Sequence, residues 1–398
     1  MKIAVVGGGP AGLYFAISLK LRRPEATIDL FERNAEGETF GWGVVFSDQT
    51  VERLMANDPV SGQVIADEFA HWDDIEVHFG GECTRSSGHG FIGIGRKRLL
   101  QILGDRARTL GVRLHFQREA STDLDDWHDY DLVVAADGIN SRFRESRSGA
   151  FGVDIDTRSN KFIWLGTPKA FDAFTFAFEK TGAGWIWAHA YRFAPDCSTF
   201  IVECAPETWD KLGFATMDQS ETIAACERIF ANYLDGSPLL SNAAHLIGSA
   251  AWLNFRRIHC KRWHDGKLIL LGDAAHTAHF SIGSGTKLAL EDAIKLADVL
   301  ARGASLEEYQ AERELEVLKL QNSARNSTEW FETVDRYLAF EPWQFAYSLL
   351  TRSQRISHEN LRLRDAEWLG RSSNVSGNGP RASEMPRRRC SRRSACAG

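Results

Sequence analysis

The chain has 398 residues, 43% hydrophobic and 25% charged, enough for two layered domains, and no apolar stretch approaches the length of a membrane span. Its formal charge of −6 is uneven: residues 371–398 carry seven arginines and one glutamate, leaving −12 on residues 1–370. The seven cysteines are scattered and form no Cys-x-x-Cys pair, which argues against a disulfide framework or a metal site and for a reducing, cytoplasmic setting.

Residues 3–6 are an apolar run that enters the first strand almost at once, so no signal or transit peptide is expected. Gly7-Gly8-Gly9-Pro10-Ala11-Gly12 follows. Gly7 permits a tight turn, Gly9 lets the backbone approach a pyrophosphate, and Gly12 lets the next helix pack closely on the strand. The N-terminus of that helix, over about residues 11–21, favours phosphate charge. A second strand at residues 27–31 ends at Glu32, with Arg33 beside it, where a carboxylate can accept both ribose hydroxyls.

Further along, Gly93-Ile94-Gly95 runs into Arg96, which begins an Arg-x-x-Leu-x-x-x-Leu pattern; its guanidinium suits phosphate oxygens or a surface helix start equally well. Asp131 to Gly138 reads Asp-Leu-Val-Val-Ala-Ala-Asp-Gly, a strand closing on Asp137-Gly138, with Ser141, Arg142 and Arg144 beyond. Residues 162–203 change character to short aromatic runs separated by turns, which predicts an antiparallel sheet. A helix is expected over about 220–234, a returning strand at 268–271, and long helices over about 286–301 and 306–337. The returning strand leads into Gly272-Asp273-Ala274-Ala275-His276, then Gly283, Gly285 and the pair Glu291-Asp292.

Each glycine motif alone is weak, but the three in this order and at these separations indicate one FAD site. The fold expected is α/β: a Rossmann-like FAD-binding domain with an inserted antiparallel β-sheet substrate domain and C-terminal helices. The expected division is 1–155 and 263–340 for FAD binding, 156–262 for the inserted sheet, 341–370 for a helical extension and 371–398 for a disordered basic tail. That tail is expected to play no part in the chemistry, and neither nucleic acid nor membrane is an expected partner.

Over about residues 1–340 these segments resemble the class A flavoprotein aromatic hydroxylases. The resemblance implies that FAD is held by Gly7, Gly9, Pro10, Ala11, Gly12, Glu32, Arg33, Arg96, Asp137, Gly138, Asp273, Gly283 and Gly285, with NADH or NADPH as co-substrate and no metal. With no second Gly-x-Gly-x-x-Gly, the nicotinamide cofactor is expected in the cleft between domains. His279-Phe280-Ser281-Ile282-Gly283 stands where the family usually has prolines, and Lys287 where it has asparagine. With Phe40-Gly41-Trp42-Gly43, these residues are similar to the branch of salicyloyl-CoA 5-hydroxylase and the hydroxylase half of anthraniloyl-CoA monooxygenase; the tryptophan hydroxylase of violacein synthesis is more distant.

That resemblance implies hydride transfer to FAD, oxygen capture as a flavin hydroperoxide, and oxygen transfer to an electron-rich ring. The expected partners are molecular oxygen and a small aromatic substrate carried as a CoA thioester, salicyloyl-CoA first, in a stand-alone hydroxylase. Whether the substrate is instead anthraniloyl-CoA, a tryptophan-type ring or a free acid stays open, as does the oligomeric state. His279 is the first candidate for a ring base or hydrogen-bond partner, ahead of His189 and Tyr191. Trp164, Phe176, Trp185 and Trp187 can line an aryl pocket or be plain core, and Arg256, Arg257, Lys261 and Arg262 can meet CoA phosphates or only solvent. A flavin halogenase shares the nucleotide fold, but Trp185-Ile186-Trp187 continues as Ala188-His189 and lacks the expected Ile-Pro.

Overall fold

Lys2–Val6 is a central strand of a six-stranded sheet, and in the computed structural model, which describes residues 1–242 and 252–374, its apolar side chains are buried on both faces. The strand order is His264–Asp265, Leu268–Leu270, Leu132–Ala135, Lys2–Val6, Thr27–Phe31 and Arg113–His115. All neighbours are parallel except the first pair. Near-continuous apolar runs such as Leu132–Ala135 suit this arrangement, because helices cover a parallel sheet on both sides. Helix Pro10–Arg22 packs on Arg96–Thr109 and on Gly285–Arg302, and the latter packs on Leu306–Glu332.

The second sheet has seven strands in the order Leu253–Cys260, Val153–Thr167, Cys197–Cys204, Gly184–Ala194, Phe174–Thr181, Ile75–Phe79 and Glu82–Ser86. It is antiparallel apart from the pairing of Phe174–Thr181 with Ile75–Phe79. Alternation sets its two faces. Ile186, Ala188 and Ala190 join Phe214, Cys226 and Phe230 in one core. Phe176, Phe178 and Trp187 join Trp330, Phe331 and Phe345 in another.

The sequence reading placed residues 75–86 with the nucleotide-binding part, whereas both strands there complete the second sheet. The period-two burial of Ile75–Phe79 marks a strand and does not say which sheet it joins. The helix expected over 220–234 is interrupted at Phe230 and forms Gln219–Ile229 and Ala231–Leu234. The last long helix ends at Glu332, before a tight turn at Val334–Tyr337.

A three-stranded sheet, Gly43–Phe46, Phe91–Gly95 and Ala70–Trp72, links the two larger ones. Helix Ala366–Asn374 runs into the stretch expected to be a disordered basic tail; the remainder of that stretch lies outside the described residues. No described helix is long and apolar enough to cross a membrane.

Candidate active site

The three glycine motifs meet at the carboxyl ends of the parallel strands. Gly7 leaves the first strand at φ 110°, and a Cβ there would overlap the Ala136 carbonyl, so the first turn lies directly against the second. A Cβ on Gly12 would overlap the Gly7 carbonyl, whereas one on Gly9 would meet nothing within 4 Å. Helix Pro10–Arg22 starts at that open point, with proline where no N–H donor is needed, so its remaining free amides give the cleft a positive end. The third motif closes the ring: Gly272 lies against Ala11, Leu271 N donates to Ala135 O at 2.9 Å, and Arg144 Nη1 donates to Ala274 O at 3.1 Å.

A cleft of about 490 Å³ runs along this junction, lined by Gly7, Gly8, Gly9, Glu32, Arg33, Arg96, Asp137 and Gly138 among others. Glu32 accepts from the amides of Gly8 and Asn34, both at 2.8 Å. A carboxylate offers about four acceptor positions, so two remain for further donors. Asp137 Oδ2 accepts from Arg142 N at 2.9 Å, while its Oδ1 is buried without a partner among the described residues. Burial raises the Asp137 pKa. Arg96 Nε donates to Thr39 Oγ1 at 2.9 Å; burial lowers its pKa and the nearby Asp273 charge opposes that.

Asp273 keeps accessible surface yet has protein packed around its carboxyl. That enclosure raises its pKa, with Arg96 opposing. Behind it lies a buried ionic network: His276 Nε2 bonds Asp292 at 2.8 Å, and Arg313 reaches Asp292 at 2.7 Å and Glu291 at 3.1 Å. Lys287, standing where an asparagine is usual, bonds Glu291 at 3.1 Å and Glu316 at 3.3 Å. Burial works to raise the Asp292 pKa, but His276 and Arg313 outweigh it and hold the carboxylate ionised.

The loop after the third motif lies over the second sheet. Phe280 packs on Phe162, Trp164, His189 and Phe255, and Phe40 meets Trp164 edge-on. His279 Nδ1 lies 3.2 Å from the Ser281 N–H and 2.9 Å from Ser281 Oγ. A backbone N–H only donates, so Nδ1 accepts and the neutral ring carries its proton on Nε2. Burial pushes the His279 pKa down to about 3, so the ring is neutral throughout the physiological range. Among the described residues no group bonds Nε2.

His189 is the complementary case. Its Nε2 lies 3.0 Å from Glu203 Oε2, and Asn160 Nδ2 donates to Glu203 Oε1 at 2.8 Å. Burial works to raise the Glu203 pKa, but His189 and the charges and donors around it prevail and lower it; burial lowers that of His189. A neutral His189 therefore donates from Nε2 and keeps its Nδ1 lone pair. Tyr191 donates to Gly43 O at 2.9 Å, with its own pKa pushed by burial to about 12.

The first two motifs, with Arg33 and Arg96, thus share one cleft, and Asp273 adjoins it through Arg96. Gly283, at φ 61°, lies near Val45, and Gly285 starts the helix that backs the third motif. Of the candidate aryl-pocket residues, Trp164 faces the loop, while Phe176 and Trp187 are core and Trp185 packs against it. Arg257 pairs with Asp154 at 2.6 Å and Arg256 bonds Asn140. Thr39, Asn160, Glu203, Ser327 and Arg352 carried no motif in the sequence; a glutamate closing the apolar run 200–202 is the one signal that could have flagged any of them.

The chain matches the family described as FAD binding domain over residues 1–323. A salicyloyl-CoA 5-hydroxylase from a Streptomyces species is 43% identical over 386 residues, covering 93% of this chain and 73% of that protein. A 3-hydroxy-4-methyl-anthranilyl-(aryl-carrier protein) 5-monooxygenase from Streptosporangium sibiricum is 35% identical over 335 residues, covering 83% and 89%. Among solved structures, the tetrameric form of 2-methyl-3-hydroxypyridine-5-carboxylic acid oxygenase has the same fold, with a TM-score of 0.67 at 18% identity over 92% of this chain and 98% of that one.

Proposed function

The chain belongs to the FAD binding domain family and is a flavoprotein aromatic-ring monooxygenase; on that premise we propose that it hydroxylates salicyloyl-CoA at C5 to give gentisyl-CoA. The 43% identity to a salicyloyl-CoA 5-hydroxylase along most of the chain carries this reading. The anthranilyl relative supports the same chemistry: both names describe a benzoyl thioester oxygenated at C5, para to an electron-donating group on C2. Anthraniloyl-CoA is therefore the second reading.

FAD fits the residues present: an open helix N-terminus for the pyrophosphate, acceptors at Glu32, and a buried Asp137 oxygen lacking a donor. When bound it accepts hydride from NADH or NADPH and activates oxygen for transfer to the ring. In this reading Gly7, Gly9, Pro10, Ala11 and Gly12 hold the pyrophosphate, and Glu32 and Arg33 the adenosine side. Arg96, Asp137, Gly138 and Asp273 hold the middle of the cofactor, and the amides at Gly283 and Gly285 face the ring system. The aromatic shell of Phe162, Trp164 and Phe280 excludes water. His279 donates from Nε2 to the ring's 2-oxygen, and the Nδ1 lone pair of His189, backed by Glu203, accepts the proton that the activated ring releases.

The test is NAD(P)H oxidation and product analysis with salicyloyl-CoA, anthraniloyl-CoA, free salicylate and tryptophan. Salicyloyl-CoA should accelerate oxidation and yield gentisyl-CoA. If it does neither, the substrate reading fails while the flavoprotein assignment stands.

A further inference from the structure

The match to the FAD binding domain ends at residue 323, yet two side chains beyond it reach the loop that carries His279. Arg352, at the end of helix Pro342–Thr351, lies face-on to Phe176 and Phe331, its guanidinium 5.2 and 5.1 Å from the ring centroids. Its Nη1 donates to Leu349 O at 2.7 Å, Nη2 to Ser281 O at 2.8 Å, and Nε to Ser327 Oγ at 2.9 Å. Ser327 Oγ lies 2.8 Å from Ser281 Oγ, which lies 2.9 Å from His279 Nδ1.

The direction of this chain is forced from both ends. Guanidinium only donates, so Ser327 Oγ accepts from Arg352. At the far end the Ser281 N–H makes Nδ1 an acceptor, so the Ser281 hydroxyl must donate to Nδ1 and accept from Ser327. Every hydroxyl proton then points toward His279. Arg352 grips Ser281 twice, at its carbonyl directly and at its hydroxyl through Ser327.

We propose that Arg352 is a positioning residue for ring hydroxylation: acting through Ser327 and Ser281, it keeps the Nε2–H of His279 aimed at the substrate. The inference rests on the reading that His279 donates to the ring oxygen. It gives the C-terminal helical extension a part in the chemistry that the nucleotide-binding fold alone does not supply. Arg352 touches neither ring nor cofactor in this scheme, so its loss acts on the fate of oxygen and leaves FAD binding in place.

The holoenzymes to compare are wild type, Arg352→Met, Arg352→Lys, Ser327→Ala, His279→Ala and the Arg352→Met/His279→Ala double variant. Arg352→Met should retain FAD and substrate-stimulated flavin reduction while its hydroxylation yield per NAD(P)H falls roughly ten- to a hundredfold, the scale of a misplaced catalytic group, with hydrogen peroxide replacing product. Arg352→Lys and Ser327→Ala, which each keep part of the chain, should fall between. In the His279→Ala background Arg352→Met should have no further effect; an equal loss there would show that Arg352 acts independently of His279 and overturn the proposal. Nitrogen NMR of histidine-labelled holoenzyme needs no turnover. His279 should be a single Nε2–H tautomer in wild type and a mixture in Arg352→Met. If His279→Ala, which removes the donor, leaves coupling intact, the donor role of His279 fails, and the NMR then decides Arg352 separately: an unchanged His279 tautomer in Arg352→Met would overturn the inference.

Discussion

Glu32 lines the cleft and Asp273 adjoins it through Arg96; held in different ways, they should fail differently. Glu32 is fixed by two backbone amides at the end of its strand, remote from the third motif. Glu32→Ala should weaken FAD binding by about 1.5–3 kcal/mol, the worth of charge-assisted hydrogen bonds, and added FAD should restore turnover. Asp273 faces Arg96 on the turn leading to the His279 loop, so Asp273→Ala should stay slow at saturating FAD. Equal rescue of both would refute the division of roles. His279 makes a separate prediction about pH. Its pKa falls from 6.5 to about 3 on folding, so between those values the unfolded chain binds a proton that the native state does not. Native stability is therefore lost as pH drops through that window, and His279→Gln should make the acid limb of the melting curve shallower.

At the scale of elements, the strand–turn–helix unit of the first motif separates folding from binding. Gly12→Ala places a methyl group against the backbone of Gly7, so the variant should lose apoprotein stability as well as FAD. Gly9→Ala adds a methyl to open space, so the apoprotein should melt like wild type while FAD titration shows weakened binding. Helix Pro342–Thr351 shows what the C-terminal extension does for the second sheet. Phe345 stacks on Phe79 with centroids 3.8 Å apart and meets Phe178 and Trp330 edge-on. Phe345→Ala should cost about 3–5 kcal/mol in urea unfolding, the range for emptying a buried aromatic site. A loss below about 1 kcal/mol would mean that this helix is dispensable to the sheet.

Across the whole molecule, the helices behind the third motif are joined by charge. Arg313, from the long helix, neutralises both Asp292 and Glu291, which are buried. Arg313→Leu removes the cation shared by the two, leaving Asp292 to His276 and Glu291 to Arg53 and Lys287, and should therefore cost less than the roughly 3–5 kcal/mol of a fully stranded buried charge. Because Asp292 has a lowered pKa, its share of stability is complete above the ordinary carboxylate range and lost as pH falls through the folded value. The wild-type protein should therefore lose more stability on acidification than Arg313→Leu, which is measurable by parallel melts.

Much of the cofactor cleft was legible in the sequence because its signals are local. A tight turn needs Gly7, a close helix needs Gly12, and an acid at the end of the next strand suits a ribose; each follows from backbone geometry within a few residues. Order and spacing then implied that the three motifs meet, and the contacts among Gly7, Ala136, Ala11 and Gly272 bring them together. What only the tertiary structure decided concerns partners distant in the chain. Residues 75–79 carried no signal of their sheet, and they join the second one through an edge presented by residues 174–177. The histidines were candidates by residue type, and His279 also by its place after the third motif. Their opposite hydrogen-bonding roles come from Ser281 in one case and from Glu203, across a strand pair, in the other. Arg352 carried no motif at all. A guanidinium's role depends on which acceptors the fold brings within about 3 Å, and no spacing in sequence encodes that distance.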